Sequence, residues 1–303
     1  MNLIKEKSYS FYGNYSNNTS ILVLSDIHFS KYVVDKTYDL FKHVSLFSFN
    51  YLLIPGDLID HFGVLKENDV CNKIIECFKL ITDTGRKIIL ILGNHEYYLS
   101  RKKQKFIRDV INSEFYCNLK KMDNVYVLNN ENYSDDFVDI FGMSLPLSYY
   151  HKTKFFENKN VLLKELSIYQ NKIDKVVNSD KIKILMIHSP KFINDSELLS
   201  ITSKFDVVLC GHFHNGSVPV LLDDIWKSNR GLVGASFDKL PKNSRGLIGK
   251  NIVVSGAVNF IQTGKIKFKF IDLFYPVHIS KINFLNGEDK ILKKERYIKL
   301  KRL

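Results

Sequence analysis

The 303-residue sequence predicts an α/β fold, a layered sheet of mostly buried strands with helices on both sides. Three observations carry this reading. Compact apolar runs recur along the chain, too continuous for strands with one wet face. Stretches with a helical repeat of apolar residues separate them. None of the apolar runs approaches the roughly 18–20 residues of a membrane-spanning helix.

The strand-like runs are ILVLSDIH (21–28), YLLIPGD (51–57), KIILILGNHE (87–96), NVYVLNN (124–130), FVDIFGM (137–143), KIKILMIHSP (181–190) and FDVVLCGHFH (205–214). Helical spacing puts Leu40, Val44 and Phe47 on one face, and Val70, Ile74, Phe78 and Ile81 on another. Phe106, Val110 and Ile111 suggest a third helix, and Leu162, Leu166, Tyr169, Ile173 and Val176 form the clearest stripe. Upstream, KSYSFYGNYSNNTS reads as an edge strand that turns at Gly13–Asn18 into the first core strand.

Beyond residue 216, VPVLL, IVVSGAVNF, KIKFKFIDLF and PVHISKINFL read as short strands. They form a β-rich closing section over 217–285, followed by a basic tail, 286–303. No repeat, linker or compositional break divides the chain, so residues 1–303 are read as a single domain.

Hydrophobic content of 45% and charged content of 25% exclude wholesale disorder. The formal charge of +12 fits anionic partners, whether phosphorylated substrates, nucleic acid or acidic lipid head groups. A solvated basic surface explains it equally well. Cys71, Cys77, Cys117 and Cys210 form no C-x-x-C, which fits a reducing compartment and gives no zinc-ribbon signal. The start, MNLIKEKSYS, holds no signal-peptide apolar region, so a cytoplasmic location is expected.

Five of the apolar runs end in residues of one chemical kind: Asp26-x-His28, Gly56-Asp57, Gly93-Asn94-His95-Glu96, His188, and Gly211-His212-x-His214. If the backbone stays extended, residues i and i+2 face the same way, so each D-x-H or H-x-H pair can approach one ion. In open α/β sheets ligands gather at the carboxyl ends of strands, where all five motifs would meet. Imidazoles, carboxylates and an amide oxygen, with no thiolate, suit manganese, iron or zinc. There are enough of them for two ions, the clamp used for in-line attack at phosphorus by a metal-generated hydroxide.

The order D-x-H, G-D, G-N-H-[ED], H and G-H-x-H resembles the calcineurin-like metallophosphoesterase superfamily, across residues 26–214. The resemblance implies a four-layer α/β/β/α sandwich on two mixed β-sheets. It implies two divalent ions, Mn2+ first and Fe or Zn as alternatives, with Asp26, His28, Asp57 and His214 on one. Asp57, Asn94, His188 and His212 would hold the other, with Asp57 bridging. His95 would assist the leaving oxygen, and Asn94 would help hold the phosphoryl group. Asp60, just beyond the metal Asp, is expected to accept a hydrogen bond from His95 and orient it.

In the phosphoprotein phosphatase branch the second motif continues as G-D-x-x-D-R-G; here GDLIDHFG puts His61 at the arginine position. Purple acid phosphatases carry a ligating Tyr where this chain has Asp60. Both departures favour the bacterial phosphodiesterase-like group, and hence hydrolysis of a phosphoester, leaning to a phosphodiester. A nuclease and a metal-binding scaffold without catalysis are the alternatives. The tail KILKKERYIKLKRL invites nucleic acid or peripheral contact with an anionic membrane, while a solvated strand or frayed end is the plainer reading.

Overall fold

A computed structural model of the chain describes residues 3–100, 105–150, 158–223, 226, 228–233, 239–259 and 274–299. Its strands run in the order β1 (Leu3–Gly13), β2 (Thr19–Val23), β3 (Tyr51–Pro55), β4 (Lys87–Ile91), β5 (Tyr98–Ser100), β6 (Lys105–Phe106), β7 (Val125–Leu128) and β8 (Glu131–Ser134). They continue with β9 (Val138–Met143), β10 (Ile182–Ile187), β11 (Val207–Cys210), β12 (Gly246–Ile248), β13 (Ile252–Val254), β14 (Val277–Asn286) and β15 (Lys290–Lys299). The helices are α1 (Val34–Ser45), α2 (Asn68–Thr82), α3 (Glu114–Lys120), α4 (Leu147–Tyr150), α5 (Lys159–Ile168), α6 (Gln170–Val177), α7 (Ser196–Thr202) and α8 (Val220–Asp223).

Two mixed sheets carry the fold. One has the order β15-β1-β14-β2-β3-β4-β7, the other β12-β13-β11-β10-β9-β8. Within them β2, β3, β4 and β7 run parallel, as do β9, β10, β11 and β13. The alternating strand faces explain the layering. Ile21, Val23, Leu53 and Ile89 of the first sheet meet Ile140, Ile184, Met186 and Leu209 of the second in one buried core. Opposite faces of the first sheet, Leu22, Leu52 and Leu90 among them, pack on Leu40, Phe41, Ile74 and Phe78 of α1 and α2. Leu185 and Val208 of the second sheet pack on Leu162, Ile173 and Leu198 of α5, α6 and α7. The result is the expected four-layer α/β/β/α sandwich, and the central strands β2, β3, β4 and β11 are apolar on both faces because each lies between two cores.

Several expectations need correction. β1 is no edge strand: it lies between β14, to which it is parallel, and β15, to which it is antiparallel. β14 separates it from β2, so Gly13–Asn18 is not a hairpin turn. Phe106 ends a two-residue strand and no helix covers Val110 and Ile111; three apolar residues were too few to fix a helical period. The 162–176 stripe is two helices broken at Tyr169. VPVLL forms the short helix α8 rather than a strand, and KIKFKFIDLF (265–274) falls almost wholly outside the described residues. The tail is the exposed strand β15 over its described part. All four cysteines are free, and among the described residues no helix is long and apolar enough to cross a membrane.

Candidate metal centre

The parallel strands end side by side, and main-chain bonds continue past them. The N–H groups of Asp26, His28 and Phe29 donate to the carbonyls of Gly56, Asp57 and Leu58, so the loops after β2 and β3 run on as a pair. His95 and Asn94 follow β4, and His188 and His212 follow β10 and β11 in the facing sheet. The site therefore sits at the carboxyl edge where the two sheets meet.

Local backbone geometry departs from the extended form the sequence suggested. Asp26, His28, Asp57, His212 and His214 have φ of 52°, 50°, 54°, 71° and 48°. Asp, Asn and His are the non-glycine residues that most readily take this left-handed conformation. The same residue types that can ligate an ion can thus also turn the chain sharply off the strand. Close approach requires glycine at Gly56 and Gly211, among others. A Cβ on Gly56, itself at φ +91°, would lie 2.6 Å from His188 Nδ1, and one on Gly211 would lie 2.6 Å from Asp26 Oδ2 and strike Ser25 Oγ.

The side chains converge in three groups whose candidate ligand atoms lie within 4.8 Å of one another: Asp26, His28 and His214; His28, Asp57 and His95; and Asp57, His188 and His212. His28 Nε2 and His214 Nε2 are 3.2 Å apart, and His214 Nε2 is 3.2 Å from Asp26 Oδ1. His188 Nε2 is 3.1 Å from Asp57 Oδ2, and the His188 and His212 rings are 5.0 Å apart. Every residue of the predicted site except Asp60 and Asn94 belongs to one of these groups; Asp60 and Asn94 border them.

Hydrogen bonds outside the cluster hold its members. His188 Nδ1 donates to the Pro55 carbonyl at 2.7 Å, which leaves Nε2 as the inward-facing nitrogen. The main-chain N–H of His212 donates to the Asp26 carboxylate, and that of His95 donates to Asp57 Oδ1 at 2.8 Å. Asp60 does engage His95, but through its main chain: Nδ1 donates to the Asp60 carbonyl at 2.6 Å, while the carboxylate stands 3.8 Å away.

Electrostatics follow from the crowding. Burial works against ionising Asp26 and Asp57, yet His214 beside the first and His188 and His95 beside the second hold both below the ordinary carboxylate range. Burial and then the neighbouring His95 push His28 well below an ordinary imidazole, so it is neutral, the form that ligates metals.

The residues fit a metal ion by two observations. Nitrogen tips of buried His28 and His188 and half-buried His214 face one another or two carboxylates across gaps of 3.1–3.9 Å. Asn94 is 8% exposed, and its Oδ1 is buried with no hydrogen-bond partner. A buried carbonyl oxygen left unpaired is costly unless a cation or donor completes it.

Sequence reading missed Glu96. It is fully buried, and its carboxylate accepts N–H bonds from Gly93 (2.7 Å), Asp57 (3.2 Å) and Ile59 (3.2 Å). It thereby ties the β3 and β4 loops together beneath Asp57. Burial, then the Asp57 charge, pushes its pKa up to about 7, against the pull of those N–H donors. Its place beside His95 in G-N-H-E was the available signal. Asn215, which the sequence places beside the metal residues as a substrate contact or a structural neighbour, is 2% exposed at φ 58° directly after His214, and accepts a bond from Lys7 Nζ at 3.2 Å.

A model of the family described as calcineurin-like phosphoesterase matches residues 19–216, a span that contains the whole cluster. The chain belongs to that family. A curated relative, the "uncharacterized metallophosphoesterase Cj0846" of Campylobacter jejuni, is 30% identical over 206 residues, 68% of this chain. The chain spans about half the length of that relative, since the match covers 46% of it. Among solved structures, a dimetal phosphatase from Danio rerio is similar with TM-score 0.47 and 10% identity, over 92% of this chain and 96% of its own. Phosphopantetheinyl hydrolase from Mycobacterium tuberculosis gives TM-score 0.37 and 13% identity, over 64% of this chain and 82% of its own. Membership of the calcineurin-like phosphoesterase family accounts for the paired sheets and for a histidine- and aspartate-rich edge between them.

Proposed function

We propose that this chain is a hydrolase that cleaves a phosphoester, preferring phosphodiesters, with two divalent ions, Mn2+ first among them. The observation that carries the reading is the pair of triads, Asp26–His28–His214 and Asp57–His188–His212, side by side at the meeting edge of the sheets. Asp26, His28, Asp57 and His214 would hold one ion; Asp57, Asn94, His188 and His212 would hold the other. Such ions acidify water and neutralise charge developing on the phosphoryl oxygens.

The protein's own groups do the rest. Asn94 orients the phosphoryl group through its amide. His95 donates its Nδ1 proton to the fixed Asp60 carbonyl, so the proton it can give up is the one on Nε2, which faces the cluster. In hydrolysis the water gives one proton to solvent as its oxygen bonds to phosphorus and the ester P–O bond breaks. The departing oxygen takes the proton from His95 Nε2, and His95 regains one from solvent.

The deciding experiment is metal analysis of the purified protein, followed by a panel of mono-, di- and cyclic phosphoesters. Two ions per chain and faster diester turnover are expected. Failure to bind metal, with no hydrolysis after added Mn2+, would sink the reading.

A further inference from the structure

A pocket of about 330 Å³ lies between the β1–β15 flank of the first sheet and β12, the edge strand of the second. Its size is at the lower end of the range for small-molecule sites. Strand pairing decides which side chains meet there. In the antiparallel β1–β15 ladder Tyr9 stands opposite Lys293 and Lys7 opposite Glu295, so all four share one face. Tyr9 belongs to the core between the sheets, which makes that face the inner one. No residue of the three metal-ligand groups lines the pocket. Lys7 Nζ donates to Asn215, the residue after His214, so pocket and metal centre stand on either side of that loop.

Positive charge at the pocket exceeds what its own acids neutralise. Those acids are Asp223 and Glu295. Fully buried Lys5 sets its Nζ 2.7 Å from Asp223 and 3.2 Å from Glu295, and Arg245 pairs with Asp223 as well. Arg245 also donates to the carbonyls of Trp226 and Ser228. Lys293 and Lys294 are exposed at the rim, and among the described residues neither ammonium has a hydrogen bond or ion pair. Tyr9 Oη likewise has no hydrogen-bond partner among the described residues. Burial, then the Glu295 charge, raises the Tyr9 pKa, so this hydroxyl keeps its proton and can donate. The positive field reaches fully buried His278, whose imidazole is pushed well below its ordinary value by burial and then by Lys7, Lys5 and Arg245. The uncommitted groups are thus two cations and a hydroxyl donor.

We propose that this pocket binds a phosphate group, free or carried by a small molecule, at an accessory site separate from the metal centre. The inference goes beyond the phosphoesterase reading and stands without it. Lysine ammoniums bind phosphate as point charges, and the Tyr9 hydroxyl adds a directed donor. A planar carboxylate is matched best by an arginine fork, and Arg245 is already engaged. A doubly charged phosphate also offsets more of the surplus charge than a carboxylate does. Trp226 and Leu247 supply an apolar wall for whatever the phosphate is attached to.

The test titrates inorganic phosphate calorimetrically into the metal-free protein, and again into Asp57→Ala, which cripples the metal centre. One binding event of the same affinity is expected in both. The double variant Lys293→Ala/Lys294→Ala should weaken it by about tenfold or more, and Tyr9→Phe by about tenfold, the worth of one hydrogen bond to a charged group. Lys120→Ala/Lys121→Ala removes two charges from an exposed site elsewhere and should leave the affinity unchanged. Acetate should bind about tenfold more weakly than phosphate or worse. Absence of binding, its loss in a folded Asp57→Ala, equal weakening by the two lysine pairs, or acetate binding as tightly as phosphate overturns the site.

Phenylphosphonate separates the two sources of the phosphate group. Tighter binding than inorganic phosphate, with the gain lost in Trp226→Ala, marks an organic phosphate that lies along the apolar wall. Affinity equal to that of inorganic phosphate and unmoved by Trp226→Ala marks the free ion as the ligand. Phenylphosphonate binding that ignores Lys293→Ala/Lys294→Ala overturns the proposal.

Discussion

His188 Nε2 stands 3.1 Å from Asp57 Oδ2, a contact that joins the loop after β10 in one sheet to the loop after β3 in the other. Asp57 also lies 3.9 Å from both His28 and His95. It is the carboxylate that two of the three ligand groups share. Replacing it by Ala should therefore remove metal from both subsites. Metal content measured on the purified variant should fall towards zero, and turnover by about 100-fold or more, since even supporting residues of metal sites are worth 10–100-fold. Retained metal with retained activity would contradict the site.

His95 and Asp60 should separate cleanly. His95→Ala is expected to lower kcat by about 10²–10⁴ with metal content unchanged, the range for loss of a general acid. Asp60→Asn keeps the carbonyl that receives Nδ1–H. Its turnover should fall by less than about tenfold, because the carboxylate at 3.8 Å is beyond hydrogen-bond reach. A large loss in Asp60→Asn would show that the carboxylate, not the main chain, positions the ring.

Glu96→Ala strips the acceptor from three buried N–H groups. Each unmet donor costs about 1–3 kcal/mol, so chemical denaturation should show a loss of several kcal/mol, with weakened metal binding as the loop under Asp57 loosens. Normal stability with normal metal affinity would refute its role as the tie between the loops.

Gly211→Ala forces a methyl group onto Ser25 and Asp26. Overpacking of this kind costs about 1–3 kcal/mol. Titration with Mn2+ should show weakened binding while the fold, followed by circular dichroism, persists. Unchanged Mn2+ affinity would mean that Asp26 tolerates the shift.

Asp135 links the two sheets away from the site. Its Oδ2 accepts bonds from Tyr51, Lys87 and Tyr133 at 2.7 Å each, and Oδ1 accepts the N–H groups of Phe137 and Val138. Although burial opposes ionisation, Lys87 and these donors hold the carboxyl below its ordinary 3.8. A depressed folded-state pKa stabilises the fold above the unfolded value, and that contribution is lost as pH falls through the folded one. Asp135→Asn should thus lower the urea midpoint at pH 7, and the gap to the parent should narrow on acidification below about pH 4. A gap that stays constant with pH would refute the charge-based account.

The ends of the apolar runs were legible because burial on both faces leaves few places for Asp, His and Asn except the strand termini. The backbone at those termini was not legible. Alternation of D-x-H implies an extended chain, whereas Asp26 and His28 both turn left-handed. Nothing local to either residue reveals that the neighbouring loop runs alongside and receives their N–H groups. The same limit applies to β1: its pattern marks a strand, but its neighbours come from residues 277–299, and strand order is a tertiary property. Glu96 was hidden for another reason. Its carboxylate accepts from the main-chain N–H groups of Gly93, Asp57 and Ile59, and main-chain donors leave no mark in the sequence.

β1 sits between β14 and β15, with Ile4 paired to Val277 on one side and to Ile298 on the other. During synthesis this strand has no ladder partner until the chain has been made through Val277, 273 residues beyond Ile4. Its closure is among the most non-local steps available to the chain, and non-local closure is slow. Lys5 and Ile4 are both fully buried in the finished fold, so their complete burial waits on that closure. A nascent chain that stops short of β14 would carry the metal-site loops and still expose both flanks of its first strand.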